Sequence, residues 1–189
     1  MCYTISNYGG GSMKYREIYN EYTSLLQDHS RMRLELASLP RGGIVKKRIS
    51  GKEYYYLQYT LCGKKKTEYL REQDVSLVQS QLSLAEQLRQ NIEQIDAHLQ
   101  RLEAAVKILD AQMSRSFVYL RQCADMDALP INKRTEAISF ANAMTALEGL
   151  PAREETERNL NDWASGKLSF ADFYLPALQN YHVMEDDHA

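Results

Sequence analysis

Apolar or bulky residues recur at alternating spacings of three and four in two segments of this chain, and this spacing is its strongest structural constraint. It places the side chains on one stripe of an α-helix and, over several heptads, is typical of coiled coils. The first stripe comprises Tyr15, Ile18, Tyr22, Leu25, His29, Met32, Leu36 and Leu39. The second comprises Val78, Ala85, Leu88, Ile92, Ile95, Leu99, Leu102, Val106, Leu109 and Met113, with Gln81 as a polar interruption. The sequence therefore predicts two long helices, the second running through Met113.

The segment between the two stripes has a different period. Leu39-Pro40-Arg41-Gly42-Gly43 ends the first helix, because the residue before a proline avoids the helical conformation and glycines favour turns. From Ile44 to Leu70, β-branched and aromatic residues flank turn signals at Ser50-Gly51 and Cys62-Gly63-Lys64. These patterns predict a three-stranded antiparallel meander over about 43–70, with one tyrosine-rich face and one lysine-rich face.

A short sheet flanked by two long helices predicts a mainly α fold. Residues 13–125 are expected to form a long antiparallel coiled-coil hairpin with the sheet at its tip. The second helix is longer than the first, so the part of its apolar stripe that the first helix cannot cover needs a further partner. That partner is either the chain's own C-terminal part or a second copy in a homodimer.

After Pro130 the heptads end, and the remaining pattern predicts a module of three short helices over 130–184. Gly149 and Gly166 stand where helix-ending glycines belong, and Ser169-Phe170-Ala171-Asp172 resembles a capping box with Asp in place of Glu. The expected helices are Asn132–Glu148, Arg153–Ser165 and Ser169–Tyr181. Residues 185–189 are expected to be a frayed tail and residues 1–12 a flexible extension, with Met13 as an alternative start.

Composition narrows the classes of function. A formal net charge of -2 predicts no strong overall attraction to nucleic acid or to membranes. The three cysteines are far apart in the sequence and lack CxxC spacing, which predicts neither a disulfide framework nor a zinc site. With no apolar run of about 18 residues and no signal-peptide pattern, the protein is expected in the cytoplasm and not in a membrane.

No group of residues in the sequence resembles a catalytic constellation. The four histidines lie at seam, helix-face and tail positions, with no nucleophile or metal-ligand motif around them. His29 occupies a seam position, where a polar residue commonly sets the register of a coiled coil. The chain is therefore expected to be an interaction protein rather than an enzyme, without a cofactor or a metal site.

Basic residues interleaved with tyrosines mark the predicted sheet. They are Lys46, Lys47, Arg48, Lys64, Lys65 and Lys66, with Tyr55 among the neighbouring tyrosines. Nucleic-acid grooves use such residues for phosphate contact and base stacking. Edge strands also carry lysines that block aggregation, and tyrosines pack thin sheets. A nucleic-acid-binding adaptor or autoregulator is therefore one hypothesis, and a purely structural scaffold is another.

The C-terminal part of the sequence resembles the VbhA-type antitoxins of Fic toxins. The resemblance rests on AISFANAMTALEGL at 137–150, on Glu154-Glu155-Thr156 and on WASGKLS at 163–169, and covers about the last 55 residues. Those small helical proteins carry a Leu/Ile-Glu-Gly sequence at the end of an inhibitory helix. The resemblance implies an antitoxin whose partner is a Fic-domain toxin.

The same resemblance implies a role for each residue around Leu147-Glu148-Gly149. Glu148 would pair with an arginine of the Fic active-site motif, a strong charge-assisted contact, and occupy the space that the ATP γ-phosphate needs. Gly149 would end the helix without a side chain. The family places Ser or Thr four residues before the glutamate, where this chain has Met144, and Thr145 lies about 100° further around the helix. Either Thr145 still reaches the partner or that hydroxyl contact is absent.

The front of the chain resembles an uncharacterised bacterial family of small coiled-coil proteins. The matching motifs are L-P-x-G, which is Leu39-Pro40-Arg41-Gly42 here, and Y-Y-Y-L-x-Y, which spans 54–59. This resemblance implies a bacterial origin and the order helix, sheet, helix, but no activity.

Overall fold

The computed structural model of the chain describes residues 13–147 and 154–176. Its helices are α1 (Met13–Ser38), α2 (Glu72–Leu109), α3 (Ala111–Asp127), α4 (Ile131–Leu147), α5 (Glu154–Ala164) and a helical segment α6 (170–176). Its strands are β1 (Gly43–Ile49), β2 (Lys52–Leu61) and β3 (Lys64–Leu70). The described residues are therefore mainly helical with a small three-stranded antiparallel sheet, as the sequence predicts.

The described part of the chain divides into two compact units. The first draws on Met1–Arg31 and Asp96–Ala189, and the second is Met32–Ile95. This division crosses the long helices α1 and α2, whereas the change of sequence pattern lies near residue 130. The sheet belongs to the second unit, and α3, α4, α5 and α6 belong to the first.

The sheet forms because two-residue turns join its strands. Ser50 and Gly51 both have positive φ, and so do Cys62 and Gly63. Positive φ at both central residues gives the turn type whose twist matches that of an antiparallel hairpin. The strand order is β1-β2-β3, with β2 in the centre. The hairpin signals in the sequence are therefore confirmed.

The expectation of a tyrosine-rich face and a lysine-rich face is wrong. Tyr54, Tyr55 and Tyr56 are consecutive in β2, and successive side chains of a strand point to opposite faces of the sheet. The cross-strand pairs Ile44 with Leu57 and Val45 with Tyr56 extend this alternation to β1. Both faces therefore carry tyrosines and lysines. They are named below the Leu57 face and the Tyr56 face.

Tyr22 of α1 lies at the centre of the first unit. It is fully buried, and its ring stacks on Phe117 of α3 with the ring centroids 3.7 Å apart. Its hydroxyl donates to Glu103 of α2 at 2.7 Å. Burial raises the pKa of Tyr22 above its usual range, so the hydroxyl stays a donor. One side chain thereby joins three helices.

A polar network continues from Tyr22 along the same helices. His29, which is 3% exposed, places Nε2 3.3 Å from a carboxylate oxygen of Asp96. Arg121 of α3 donates to the other oxygen of Asp96 and lies 3.7 Å from Glu103. The pairs Tyr22 with Glu103 and His29 with Asp96 run in opposite directions along α1 and α2. These helices are antiparallel in the first unit, and His29 is a buried, paired seam residue.

The predicted second helix is interrupted at Asp110, which corrects the expectation of one helix through Met113. Asp110 has an extended backbone, with φ -155, and its carboxylate accepts from the backbone N–H groups of Gln112 and Met113. This N-cap begins α3, whose Ala124 carbonyl accepts a hydrogen bond from Ser30 of α1. With the Arg121 contacts to Asp96 and Glu103, this bond places α3 against both α1 and α2.

Two of the three cysteines lie in the described residues, and they are not bonded to each other. Cys62 is exposed in a β-turn and Cys123 is buried in the first unit. Burial raises the pKa of Cys123 to about 12, so its sulfur is a thiol at neutral pH. Within the described residues, no helix has the length and apolar content needed to cross a bilayer.

Gly42 provides a direct test of the sheet. Its φ is +102, and an added Cβ would lie 2.0 Å from the carbonyl oxygen of Gln58. We expect Gly42→Ala to lower the free energy of unfolding by about 2 kcal/mol or more, because backbone strain and a backbone clash coincide. Urea denaturation of the full chain, with amide exchange of β1 and β2, measures this loss.

Gly43→Ala is the matched control. A Cβ at Gly43 meets nothing within 4 Å, so this variant should be as stable as the parent protein. An equal loss of stability in both variants would contradict the close approach of Gly42 to β2.

Candidate interaction surfaces

The predicted inhibitory motif lies where α4 ends. Met144, Thr145 and Leu147 belong to the last turns of this helix. Glu148 and Gly149 lie outside the described residues, so the predictions for these two residues rest on the sequence alone.

Three apolar side chains form an exposed stripe on α4. Phe140 is 70% exposed, Met144 45% and Leu147 82%. Their spacing of four and three residues places them within about 60° of one another around the helix. Exposed side chains in such an arrangement are the anchors with which a helix binds an apolar groove. We call Phe140, Met144 and Leu147 the α4 stripe.

Thr145 lies away from the α4 stripe. Its hydroxyl donates to the carbonyl oxygens of Ala141 and Asn142, both at 3.2 Å, and the residue is half-buried. This hydroxyl therefore bonds to the preceding turn of its own helix. Among the described residues of the predicted motif, Met144 and Leu147 share one surface and Thr145 does not.

Arg134 attaches α4 to its neighbours. This buried side chain donates to the carbonyl oxygens of Leu129 at 2.9 Å, Asp127 at 2.5 Å and Trp163 at 2.9 Å. Its guanidinium also lies 5.3 Å from the centroid of the Trp163 ring. Since Asp127 ends α3 and Trp163 lies in the last turn of α5, one side chain joins both helix ends to α4.

Asp127 joins α3 to α5 and α6. One of its carboxylate oxygens accepts from the Trp163 indole N–H at 2.9 Å and from the backbone N–H of Phe170 at 2.8 Å. Burial raises the pKa of Asp127 above its usual value, while these two bonds and Arg134 oppose the rise. Specific donors thus hold the carboxyl group in place, and its burial carries a cost in desolvation.

The turn between α5 and α6 has the structure that the sequence predicts. Gly166 has φ +76 and donates to Trp163, while Lys167 donates to Asp162, which is the hydrogen-bond pattern of a Schellman helix end. At the start of α6, Ser169 and Asp172 bond reciprocally through side chain and backbone. The glycine stop at Gly166 and the capping box are confirmed.

The structure separates the six basic residues that the sequence grouped. The register places Lys46, Arg48, Lys64 and Lys66 on the Leu57 face, together with Tyr55. It places Lys47 and Lys65 on the Tyr56 face. The predicted basic cluster is therefore two sets of side chains on opposite faces of one sheet.

The Leu57 face also carries both carboxylates of the sheet. Lys46 pairs with Glu53 at 2.6 Å, a hydrogen bond that raises the pKa of Lys46. The Tyr59 hydroxyl donates to Glu68 at 2.5 Å and its pKa is raised by this bond. Leu57 itself is buried. Part of the positive charge on this face is therefore already neutralised.

Sequence reasoning missed several residues that shape these surfaces. Phe140 belongs to the α4 stripe, and its spacing of four from Met144 and seven from Leu147 was a signal that could have identified it. Arg134 and Asp127 gave no comparable signal, because their partners are mainly backbone carbonyl and N–H groups that no sequence pattern reveals. Trp163, the one tryptophan of the chain, was a candidate core residue by type alone.

The described residues contain no group of three His, Cys, Asp or Glu side chains that could hold a metal ion.

Comparison with known families gives one match, a family described as a domain of unknown function (DUF6788), over residues 15–80. The matched segment includes Leu39-Pro40-Arg41-Gly42 and the tyrosines of β2. Neither the curated proteins nor the solved structures gave a match to the chain.

Asp127 provides a test of the contacts that position α4. Asp127→Asn keeps an acceptor oxygen, whereas Asp127→Ala leaves the Trp163 and Phe170 N–H groups without it. We expect the alanine variant to lose about 2 kcal/mol or more of unfolding free energy. Urea denaturation at pH 7 compares the two variants, and an equal loss in both would contradict the acceptor role.

The raised pKa of Asp127 also predicts a dependence on pH. The folded state binds the proton of this carboxyl group more tightly than the unfolded state does. The contribution of Asp127 to the free energy of unfolding therefore falls as the pH rises from its unfolded pKa of 3.8 through its higher pKa in the folded state. The stability of Asp127→Asn relative to the parent protein should therefore increase over that window. A constant difference between the two proteins from pH 3 to pH 7 would refute it.

Proposed function

We propose that this protein is an antitoxin-like inhibitor that binds a Fic-type adenylyltransferase through α4 and the residues that follow it. The observation that carries the proposal is the exposed α4 stripe, whose last member, Leu147, directly precedes Glu148 and Gly149 in the sequence. An exposed apolar helix face next to a carboxylate provides a docking surface and an inhibitory group in one segment. The sequence resemblance to VbhA-type antitoxins supports a Fic-domain toxin as the partner.

The stripe supplies the binding energy in this proposal. Phe140, Met144 and Leu147 would enter an apolar groove of the partner, as helix anchors at positions i, i+4 and i+7 do. Burying exposed aromatic and aliphatic side chains is the main favourable term in such contacts. Contacts of Arg134 with helix ends on both sides hold α4 in place, so little conformational freedom is lost when it docks.

Glu148 supplies the inhibition. A carboxylate paired with the arginine that orients the ATP phosphates removes that cation from the nucleotide and occupies the γ-phosphate position. ATP can then bind only in a pose that places its phosphates away from the geometry of transfer. The chain therefore inhibits without any catalytic group of its own, and it would act in the bacterial cytoplasm.

The two long helices have a supporting role in this proposal. We infer that α1 and α2 form an antiparallel coiled-coil hairpin with the sheet at its tip, which either adds contact area or pairs with a second copy. The heptad seams and the antiparallel contacts of Tyr22 with Glu103 and His29 with Asp96 support this arrangement. The match to a domain of unknown function over residues 15–80 is compatible with a separate role for this part.

The α4 stripe is tested by co-expression with a Fic protein encoded at the same locus. We expect Phe140→Ala and Leu147→Ala each to weaken the complex by about 30-fold or more, as loss of an interface anchor does. Co-purification and calorimetric titration measure the affinity. The control is Ile108→Ala, since Ile108 is an apolar residue of α2 that is 87% exposed. Equal weakening by the control, or no complex with the parent protein, would overturn the proposal.

Glu148→Gly separates inhibition from binding. We expect the complex to persist while adenylyl transfer from ATP, absent with the parent protein, becomes measurable. Transfer is followed with labelled ATP and the purified complex. Continued inhibition by Glu148→Gly in an intact complex would show that another residue blocks the nucleotide.

A further inference from the structure

The charge of this chain is distributed unevenly. Residues 43–70 contain seven Lys and Arg residues and two Glu residues, a net charge of +5. The whole chain has a net charge of -2, so the remaining residues together carry -7. The sheet is therefore a local cationic surface on an acidic protein, which favours a polyanionic ligand at that place.

The register concentrates this property on one face. Lys47, Lys52 and Lys65 lie on the Tyr56 face, and both glutamates of the sheet lie on the Leu57 face. All three lysines are exposed. The Tyr56 face is thus positive without an acidic side chain from the strands.

Tyrosines occupy the centre of the Tyr56 face. The ring centroid of Tyr69 lies 6.3 Å from that of Tyr54 and 5.7 Å from that of Tyr56. Lys47 Nζ lies 5.1 Å from the Tyr56 ring centroid. Tyr69 is 59% exposed, while Tyr54 and Tyr56 are half-buried. Tyr69 is therefore the most exposed ring of this cluster, and the other two rings lie partly accessible beside it.

The order of side chains along β2 matches an extended ligand. Lys52, Tyr54, Tyr56, Gln58 and Thr60 follow one another on this face, and Lys65 pairs with Thr60 on the neighbouring strand. Lys52 and Thr60 are about 26 Å apart at the usual rise of a strand. Cations therefore lie at both ends of the row, with aromatic rings and amide or hydroxyl groups between them.

We propose that the Tyr56 face binds single-stranded nucleic acid. Lysines at the ends of the row would contact phosphates, and exposed aromatic rings on a sheet are where unpaired bases stack. A duplex keeps its bases stacked on each other, so it can use the lysines but not the tyrosines. This site is independent of the proposed inhibitory function, because it uses residues of the second unit only.

The test uses the full-length chain and fluorescently labelled 12-nucleotide oligo(dT) and oligo(rU), with a 12-base-pair duplex as the third probe. Fluorescence anisotropy at 50–200 mM salt should show both single strands binding more tightly than the duplex. Three phosphate contacts predict a slope of about -2 in the plot of log affinity against log salt concentration. Equal affinity for the two single strands supports a site that does not distinguish DNA from RNA, and a preference for one of them supports the site and indicates which of the two it binds.

Matched variants locate the site on one face. Lys47→Gln combined with Lys65→Gln should weaken binding and reduce the salt slope by about 1.4. Lys46→Gln combined with Lys66→Gln removes the same charge from the Leu57 face and should change neither the affinity nor the salt slope. Tyr69→Leu should weaken binding about fivefold or more, whereas Tyr59→Leu, on the Leu57 face, should leave it within twofold.

Three results would overturn the proposal. They are no binding of either single strand by the parent protein, equal binding of the duplex, and equal losses from the two lysine pairs. Circular dichroism of each variant shows whether its fold is retained, and the comparison between faces holds because both pairs lie on exposed strand positions. None of these outcomes depends on whether the chain binds a Fic protein.

Discussion

The guanidinium of Arg134 lies at the C-terminal ends of two helices and donates to carbonyl groups of both. Helix ends leave carbonyl oxygens without partners and carry partial negative charge. A cation that bonds to Asp127 at the end of α3, to Leu129 just after it and to Trp163 near the end of α5 compensates both helix ends with one side chain. The cost of burying a charged group is offset by these three bonds and by the Trp163 ring beside it. The placement of α4, and with it the exposed stripe, depends on this contact.

A second constraint is the alternation of side chains in the sheet. Because a strand has a period of two, the three consecutive tyrosines cannot share a face, and each cluster of consecutive basic residues is divided in the same way. The register of β3 then decides that Tyr69 joins Tyr54 and Tyr56, while Glu68 lies on the other face. Strand pairing therefore gives the two faces of the sheet different sets of charged and aromatic side chains, which the composition of the segment does not reveal.

The helices, the strands and most of their ends could be predicted because local signals specify them. Gly166 and the pair Ser169 with Asp172 act within a few residues, and the structure shows them acting as expected. The break at Asp110 was missed, although aspartate is a favourable N-cap, because the seam residues on both sides fit one continuous heptad pattern. A single capping residue is a weaker signal than ten periodic apolar residues, yet the capped turn is what lets α3 return to Tyr22.

By itself, the sequence determined which segments become helix or strand, where the turns lie, and that the chain carries helical seams with a small basic sheet. These features depend on spacing, on glycine and proline conformations and on capping groups, all of which act between near neighbours in the chain. Only the tertiary structure decided that Arg134 and Asp127 join the helices around α4, that Phe140 lies exposed beside Met144 and Leu147, and that the acidic residues of the sheet avoid the Tyr56 face. Each of these depends on burial, on contacts between residues distant in sequence or on strand register, and no local pattern encodes which distant group will be in contact.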